Sequence, residues 1–342
     1  MKIFYAGTLS TKSNSFSRMQ IFKQEGFDVI PFDFSQFIKR DFFGKLQFRL
    51  GIGPDINKLN SRLVEKVKGS IPDLLWIDKG LYIQPSSLKK IKDSFPKAII
   101  VHLNPDDPFG NNQEGFRLFK KSIPFYDVHF VSRPQNVNEY KSFGAKTVFE
   151  YDRSFDPNIH RPIQLSETEK SKYHTKVGFV GTFAYARAES ILFLIENGIP
   201  VSIYGDHWEK FKSFKKIQKY YKGKAVYGLE YAKVISGMEI ALHFLRKENR
   251  DFQDSRTFEI PACGTFMIAE RSYKHEEFFK EDEEAVFFDN NEELLKKVSY
   301  YINHPEKREK IAKNALEKSL KAGYDHKNRL LDMINKVLKL KQ

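Results

Sequence analysis

Short runs of apolar residues alternate with amphipathic segments along the whole chain. This alternation is typical of parallel β-strands that are buried on both faces between helices. In the first half, the pattern predicts strands at residues 2–6, 28–32, 73–78, 98–103, 127–132 and 147–150. In the second half, it predicts strands at residues 176–180, 200–204, 225–227, 240–244, 265–268 and 285–288.

A polar stretch, QLSETEKSKYHT, separates the two sets of strands and predicts a linker over residues 166–175. We therefore predict an α/β protein with two Rossmann-like, doubly wound domains that face a central cleft. The N-terminal domain is expected over residues 1–165 and the second over residues 176–322. Residues 323–342 are expected to form an amphipathic C-terminal helix, which is able to pair with a second subunit as an alternative to packing on its own chain.

Composition and charge narrow the function. The 342 residues include 57 Lys and Arg against 44 Asp and Glu, a net charge of +13, so an anionic partner is expected. The chain contains no run of about 20 apolar residues, which predicts no membrane span, and its first residues, MKIFYAGTLS, predict a strand and not a signal peptide. A single cysteine, Cys263, excludes an internal disulfide and a cysteine-based metal cluster, and it favours the cytoplasm.

The segment SRTFEIPACGTFMIA, residues 255–269, carries the most chemistry. It predicts a short helix over residues 257–262, broken near Gly264 and followed by an apolar strand. The spacing of Arg256, Glu259 and Gly264 would allow them to meet both the ribose and the phosphates of a nucleotide. Arg256 would favour an anionic group, and the Glu259 carboxylate would accept hydrogen bonds from ribose hydroxyls. Alternatively, Arg256 and Glu259, three residues apart, pair with each other on a core helix.

Glycines and aromatic residues follow several predicted strands. Gly181 ends the first strand of the second half, Gly205 follows the next, and Tyr227 follows the third. Because open parallel sheets bind ligands at the carboxyl ends of their strands, these loops are candidates for nucleotide binding. An ordinary surface turn is the alternative for each loop.

Taken in order, VGFVGT, Arg187, IPVSIYGDHW, YGLEYAKVISGMEIALHF, SRTFEIPACGTFMIAER and NHPEKREKIAKNA resemble the donor-binding half of glycosyltransferases of the GT-B fold, in particular the spore-maturation CgeB-like group. The first half resembles the acceptor-side domain of the same group.

This resemblance implies transfer of a sugar from a nucleotide-sugar donor, with UDP or another nucleoside diphosphate as the leaving group. It also implies that Glu259 holds the ribose, that Gly181, Thr182, Arg187 and Arg256 surround the diphosphate, and that the terminal helix packs toward the first domain. Fixed cations stabilise the departing diphosphate, so we expect no metal and no separate cofactor.

Two acidic positions bear on the reaction. Asp251 stands eight residues before Glu259, where retaining enzymes of this fold often carry a glutamate, so the stereochemical outcome stays open. Asp106 and Asp107 follow the predicted strand at residues 98–103 and are candidate bases, with Asp106 preferred. Their alternative role is a turn in which the carboxylates accept backbone N–H groups.

The expected partners are a nucleotide-sugar and a glycan, lipid-linked or protein acceptor, without nucleic acid. Phenylalanines between residues 32 and 48 interleave with Lys39, Arg40, Lys45 and Arg49, which favours either peripheral contact with the inner face of a membrane or an inward-packed segment. Two alternative functions remain: a nucleotide-sugar epimerase of similar fold, and a non-enzymatic protein that binds polyanions or polysaccharides.

Overall fold

The fold is that of a computed structural model, which describes residues 1–11, 13–38, 41–111 and 115–340. Two of the basic residues considered above, Lys39 and Arg40, lie outside the described residues. The chain forms two compact units. Unit 1 comprises Met1–Asp152, Lys247–Arg250 and Lys327–Gln342, and unit 2 comprises Arg153–Arg246 and Asp251–His326.

Unit 1 is built on a parallel sheet with the strand order β2-β1-β3-β4-β5-β6. Its strands are β1 (Lys2–Gly7), β2 (Asp28–Asp33), β3 (Leu74–Asp78), β4 (Ile99–Asn104), β5 (Val128–Val131) and β6 (Thr147–Glu150). Its helices are α1 (Asn14–Gln24), α2 (Phe42–Leu50), α3 (Pro54–Ser70), α4 (Pro85–Ser94), α5 (Phe116–Ser122) and α6 (Pro134–Ser142). Strands β3 and β4 are buried at every position, which explains why most of their residues are apolar.

Unit 2 contains a second parallel sheet, with the order β12-β11-β10-β7-β8-β9. Its strands are β7 (Thr175–Val180), β8 (Ser202–Tyr204), β9 (Tyr221–Gly223), β10 (Met238–His243), β11 (Met267–Glu270) and β12 (Val286–Phe288). The helices are α7 (Glu167–Tyr173), α8 (Tyr185–Glu196), α9 (Phe214–Ile217), α10 (Gly228–Ser236), α11 (Arg256–Ala262), α12 (Tyr273–Phe278), α13 (Asn291–Ile302) and α14 (Pro305–Lys321). Two Rossmann-like sheets are therefore confirmed.

The last helix, α15 (His326–Lys339), contributes to the core of unit 1. Leu330, Met333, Ile334 and Val337 on one of its faces are buried in the same cluster as Trp76 of β3. Burial of this apolar face holds the end of the chain against the sheet.

The structure corrects two predicted boundaries. Unit 1 ends its first segment at Asp152 and not at residue 165, because the next residues bond within unit 2: the Phe155 amide donates to the Tyr324 carbonyl at 3.2 Å. The predicted linker over residues 166–175 contains helix α7, which is stabilised by a capping box between Ser166 and Glu169.

One predicted strand is also wrong. The third strand of the second half lies at Tyr221–Gly223 and not at residues 225–227. Tyr227 has extended backbone but serves as the N-cap of helix α10, so the apolar trio that suggested a strand leads into a helix. Among the described residues, no helix is long and apolar enough to cross a membrane.

Candidate functional site

The strand order of unit 2 reverses between β7 and β10, since β8 lies on one side of β7 and β10 on the other. Ligands of open α/β sheets bind outside the carboxyl ends of the strands at such a reversal. Three elements meet at this point and form the candidate site: the loop after β7, the end of β10 and helix α11.

Two glycines allow the loops after β7 and β8 to lie against each other. The Gly181 amide donates to the Tyr204 carbonyl at 2.8 Å, and the Gly181 carbonyl accepts from the Trp208 indole at 2.9 Å. Gly205 has φ +149°, and a Cβ atom there would lie 1.9 Å from the Gly181 carbonyl oxygen. The conformation of Gly205 is thus explained by loop packing within the protein, before any ligand is considered.

Arg187 links the loop after β7 to the end of β10. Its side chain is buried on helix α8, where Nη1 donates to the Thr182 carbonyl at 3.1 Å and Nη2 to the Phe244 carbonyl at 3.3 Å. The guanidinium also lies over the Phe179 ring. Arg187 therefore supports the loop from the protein interior, while Thr182 in that loop is exposed.

Arg256 is held in place by two neighbours. Its Nε donates to the Val180 carbonyl at 2.6 Å, and Nη1 lies 3.2 Å from Asp254 Oδ2. Asp254 in turn accepts from His243 Nε2 at 3.0 Å. Burial by itself raises the pKa of Asp254, but the charges of His243 and Arg256 and their hydrogen bonds outweigh it and hold that pKa well below its usual value. The result is an anchored cation beside the loop after β7.

A second polar chain lies behind this ion pair. Thr257 Oγ1 is 2.9 Å from His275 Nε2 and accepts from the Asp254 amide at 3.1 Å, and His275 Nδ1 is 2.7 Å from the Glu270 carbonyl oxygen. Since a carbonyl oxygen only accepts, Nδ1 carries a proton. Burial lowers the pKa of His275 to about 3, so its imidazole is neutral at neutral pH.

Glu259 lies one turn after Arg256 on helix α11. Its Oε2 accepts from the Tyr231 hydroxyl at 2.8 Å, and Oε1 is 3.8 Å from His160 Nε2. The side chain of Glu259 is 12% exposed. The spacing had suggested an ion pair between Arg256 and Glu259 as an alternative, but Arg256 pairs with Asp254 instead.

The other residues predicted to bind the donor occupy different environments. Tyr227 is 53% exposed at the start of α10, while Asp251 is buried after β10. Gly264 has φ +71° directly after α11, and its amide donates to the Pro261 carbonyl at 2.9 Å. It ends the helix as a left-handed glycine does, which accounts for the glycine without a ligand.

In unit 1, the two candidate bases differ sharply. The Asp106 side chain is 37% exposed, with Oδ2 2.7 Å from Lys79 Nζ, at the carboxyl edge of the sheet. Asp107 is buried and binds both Arg250 Nε at 2.7 Å and Asn136 Nδ2 at 2.9 Å. Burial alone would raise the pKa of Asp107. The hydrogen bonds from Arg250 and Asn136 outweigh burial, so the pKa of Asp107 lies below its usual value.

These contacts count against the expectation that Asp107 serves as a base. A buried carboxylate whose oxygens already accept hydrogen bonds is a weak base and is inaccessible to a hydroxyl group. Asp107 instead holds the segment Lys247–Arg250 in unit 1, where Arg250 also pairs with Glu139 at 2.8 Å.

Three residues of the site were not predicted from the sequence: Asp254, His160 and Tyr231. A signal for Asp254 was present, because it stands two residues before Arg256 and accepts the Arg256 amide at 2.7 Å in a local turn. Tyr231 and His160 reach Glu259 only through tertiary folding, since they lie 28 and 99 residues away in the chain. Among the described residues, no group of three or more His, Cys, Asp or Glu side chains is arranged to hold a metal ion.

Comparisons with known proteins agree with this architecture. Residues 187–335 match the family model described as glycosyl transferase-like. The spore protein CgeB of Bacillus subtilis (strain 168) is 21% identical over 257 residues, which are 71% of this chain and 68% of that protein.

Solved structures extend the similarity to nearly the whole chain. Sucrose-phosphate synthase from Thermosynechococcus elongatus superposes with a TM-score of 0.73 at 11% identity, over 99% of this chain and 98% of that one. HepE of Anabaena, in complex with UDP and glucose, superposes with a TM-score of 0.65 at 12% identity, over 98% of this chain and 100% of that one. At these identities the structural likeness establishes the fold.

Proposed function

We propose that this chain, a GT-B glycosyltransferase of the CgeB-like group, moves a sugar from a nucleotide-sugar bound by unit 2 to a glycan, lipid-linked or protein acceptor bound by unit 1. The observation that carries the proposal is the anchored Arg256 beside the loop after β7, with Glu259 one helical turn away.

Each residue has a distinct role in the proposed donor site. Arg256 faces the diphosphate, because a guanidinium binds phosphate oxygens through a planar fork of N–H groups. Glu259 accepts the ribose hydroxyls, and the Tyr231 hydroxyl bonded to it at 2.8 Å orients its carboxylate. Gly181 and Thr182 bring backbone near the phosphates, Arg187 supports that loop, and the exposed ring of Tyr227 offers a face to the base.

The proposed reaction is metal-independent. Departure of a nucleoside diphosphate concentrates negative charge on its oxygens, and a cation that is already oriented stabilises that charge without reorganisation. The pairing of Arg256 with Asp254 and Val180 supplies this orientation. We propose UDP as the nucleotide because HepE, which has a similar fold, was solved with UDP and glucose.

For the acceptor, we propose that Asp106 removes the proton of the attacking hydroxyl group. Its partial exposure and its place after β4 support this role, whereas the burial of Asp107 and its bonds to Arg250 count against Asp107 as the base.

We further propose a cytoplasmic protein that works in the synthesis of cell-surface polysaccharide and contacts the inner face of the membrane peripherally. The single buried cysteine supports a reducing compartment, where nucleotide-sugars are used. The basic balance of the chain supports contact with an anionic surface.

Calorimetry with UDP and UDP-glucose tests the donor site. Glu259→Ala should weaken binding by about 1–3 kcal/mol, because a buried ribose hydroxyl loses its acceptor. Glu292→Ala, at an exposed position of helix α13, is the matched control and should bind as the unaltered protein does. An affinity of the Glu259→Ala variant equal to that of the unaltered protein, for UDP and for every other nucleoside diphosphate, would refute the ribose role.

Product analysis separates the alternatives. A nucleotide-sugar epimerase would convert the donor to an isomer without an acceptor. A transferase would instead release the nucleoside diphosphate, and an acceptor would accelerate that release. A polyanion-binding protein would show tight, salt-sensitive binding to polyanions with no preference for nucleotide-sugars.

A further inference from the structure

Helix α2 of unit 1 presents its apolar side chains to solvent. Phe42 and Phe43 are 75% and 71% exposed, Leu46 and Leu50 are 42% and 47% exposed, and Ile52 just beyond the helix is 65% exposed. A helix that packs on a core normally turns such residues inward. A contiguous exposed patch of this kind marks an interaction surface.

The opposite side of α2 contacts other residues of unit 1, and these contacts fix the rotation of the helix about its own axis. Gln47 Nε2 donates to Asp55 Oδ2 at 2.9 Å, and Gln47 Oε1 accepts from the Asp55 amide at 2.9 Å. The Phe48 ring lies 5.6 Å from the ring of Tyr82. The Asp41 carboxylate caps the helix by accepting from the Gly44 amide at 2.7 Å. These contacts fix the outward direction of Phe42, Phe43, Leu46 and Leu50.

The charged residues of helix α2 itself are both basic. Lys45 and Arg49 lie one turn apart on α2 and are exposed among the apolar side chains. Bulky apolar residues interleaved with cations are what a helix needs to lie in the interface of an anionic bilayer. A symmetric contact between two copies of the chain would instead bring the same cations together, which disfavours it.

We propose that the outer face of α2, formed by Phe42, Phe43, Leu46, Leu50 and Ile52 with Lys45 and Arg49, docks on an anionic lipid surface. The phenylalanine and leucine side chains enter the interface, and the two basic groups bind lipid headgroups.

The inner face of α2 connects this surface to the proposed reaction. A cavity of about 240 Å³ at the carboxyl edge of the sheet is lined by Gly44 and Phe48 of α2 and by Thr8, Phe34, Ser35 and Tyr82, among others. Lys45, at the border between the two faces of α2, also lines this cavity. Helix α2 is therefore both a wall of the cavity and the docking element. Resting on the proposed function, this assigns a lipid-linked acceptor, whose polar head occupies the cavity while its tail stays in the bilayer.

Vesicle co-sedimentation of the full chain tests the docking surface. The probes are phosphatidylcholine vesicles with and without about one-third phosphatidylglycerol. The unaltered protein should bind the anionic vesicles and release them at high salt. The double substitution Phe42→Ser and Phe43→Ser should weaken binding about tenfold for each phenylalanine. Lys45→Gln with Arg49→Gln should weaken it about fivefold for each charge.

Matched controls separate the patch from general surface effects. Ile71→Ser with Leu320→Ser removes two apolar residues that are 68% and 59% exposed elsewhere, and Lys296→Gln with Lys310→Gln removes two exposed charges of unit 2. Both controls should bind vesicles as the unaltered protein does. Thermal unfolding and UDP calorimetry should be unchanged in the phenylalanine variant, which shows that its folding and its donor site are intact.

Two results would overturn the proposal. One is equal vesicle binding by the phenylalanine variant and the unaltered protein, or no binding by either. The other is a dimer in analytical ultracentrifugation that the phenylalanine variant abolishes, without vesicle binding, which would make the patch a contact between copies. Absence of UDP binding by the unaltered protein would instead count against the proposed function. The vesicle result would still decide whether α2 docks on lipid.

Discussion

Arg256 and Asp254 form an ion pair two residues apart, with Arg256 Nη1 3.2 Å from Asp254 Oδ2, while Arg256 Nε donates to the Val180 carbonyl at 2.6 Å. The guanidinium is thus held from both sides before a ligand arrives. Holding a cation in its working orientation removes the entropy cost of ordering it when the ligand binds.

The first prediction concerns Asp254. Asp254→Asn keeps the shape but removes the negative charge that orients Arg256, so UDP affinity should fall by about 1–2 kcal/mol, as for a lost charge-assisted hydrogen bond. Isothermal calorimetry measures this change. Asp289→Asn is the matched control, because Asp289 pairs with Arg271 at an exposed position 3.0 Å away. Equal UDP affinity in the two variants would contradict the orienting role.

Arg256 itself provides a second prediction. Arg256→Lys retains the charge but loses the fork that contacts Val180, Asp254 and the diphosphate together, so UDP binding should weaken at least about tenfold. In the double variant with Asp254→Asn, the loss of binding free energy should be smaller than the sum of the losses in the two single variants, since both substitutions act on one interaction. Strict additivity in the calorimetric cycle would show that Asp254 does not act through Arg256.

Gly205 carries a prediction about folding. At φ +149°, an added Cβ atom would lie 1.9 Å from the Gly181 carbonyl oxygen, so Gly205→Ala should destabilise the protein by about 3 kcal/mol or more. Gly69→Ala is the control: Gly69 lies in helix α3 with open space where a Cβ atom would be, and the substitution should stabilise the protein by about 1 kcal/mol. Denaturant unfolding compares the two. Unchanged stability of Gly205→Ala would mean that the two loops are free to separate.

Most of the strands were predictable because they are short, largely apolar runs, as in β4, which is buried at every position. The placement of Arg256 and Glu259 on a short helix followed from the break at Gly264. The edge strand β9 was misplaced because its sequence, Tyr-Lys-Gly, is polar at its centre and only half-buried at its ends. Weak burial leaves weak periodicity for a sequence to display.

The partners of the site residues could not be read from local patterns. Asp107 and Arg250 are 143 residues apart, yet they bond at 2.7 Å. Which of two adjacent carboxylates is buried depends on this distant partner, so Asp106 and Asp107 looked equivalent in the turn they share. Likewise, the apolar residues of α2 suggested either an inward or an outward face, and the decision rests on the contacts of Gln47 and Phe48.

This difference between the two aspartates is itself testable. Asp106→Asn should leave stability within about 0.5 kcal/mol, because its carboxylate is an exposed partner of Lys79, and it should lower the turnover number about a hundredfold if Asp106 is the base. Asp107→Asn should instead lower the free energy of unfolding by about 1–3 kcal/mol, as Arg250 loses a charged acceptor. Steady-state kinetics and denaturant unfolding of both variants measure the contrast. Full turnover with Asp106→Asn would remove it from the mechanism.

Protonation of His275 gives a pH dependence whose sign follows from its burial. Burial holds the pKa of His275 near 3 in the folded protein, whereas an unfolded histidine has a pKa of about 6.5. The unfolded chain therefore binds a proton over this interval and the folded protein does not, so this contribution to stability is complete above about pH 6.5. As the pH falls from there toward 3, unfolding should become easier by up to about 1.4 kcal/mol per pH unit. Urea unfolding at a series of pH values measures that slope.

The variant His275→Gln isolates this contribution. It cannot titrate in this range, so its stability should be lower at pH 7.5, where the contacts to Thr257 and Glu270 are altered, yet it should change less steeply between pH 6.5 and 4. His207→Gln, at an exposed position of unit 2, is the control for removal of one histidine. If the His275→Gln variant kept the full slope of the unaltered protein, other groups would account for the acid sensitivity, and the neutral imidazole behind Asp254 would carry none of it.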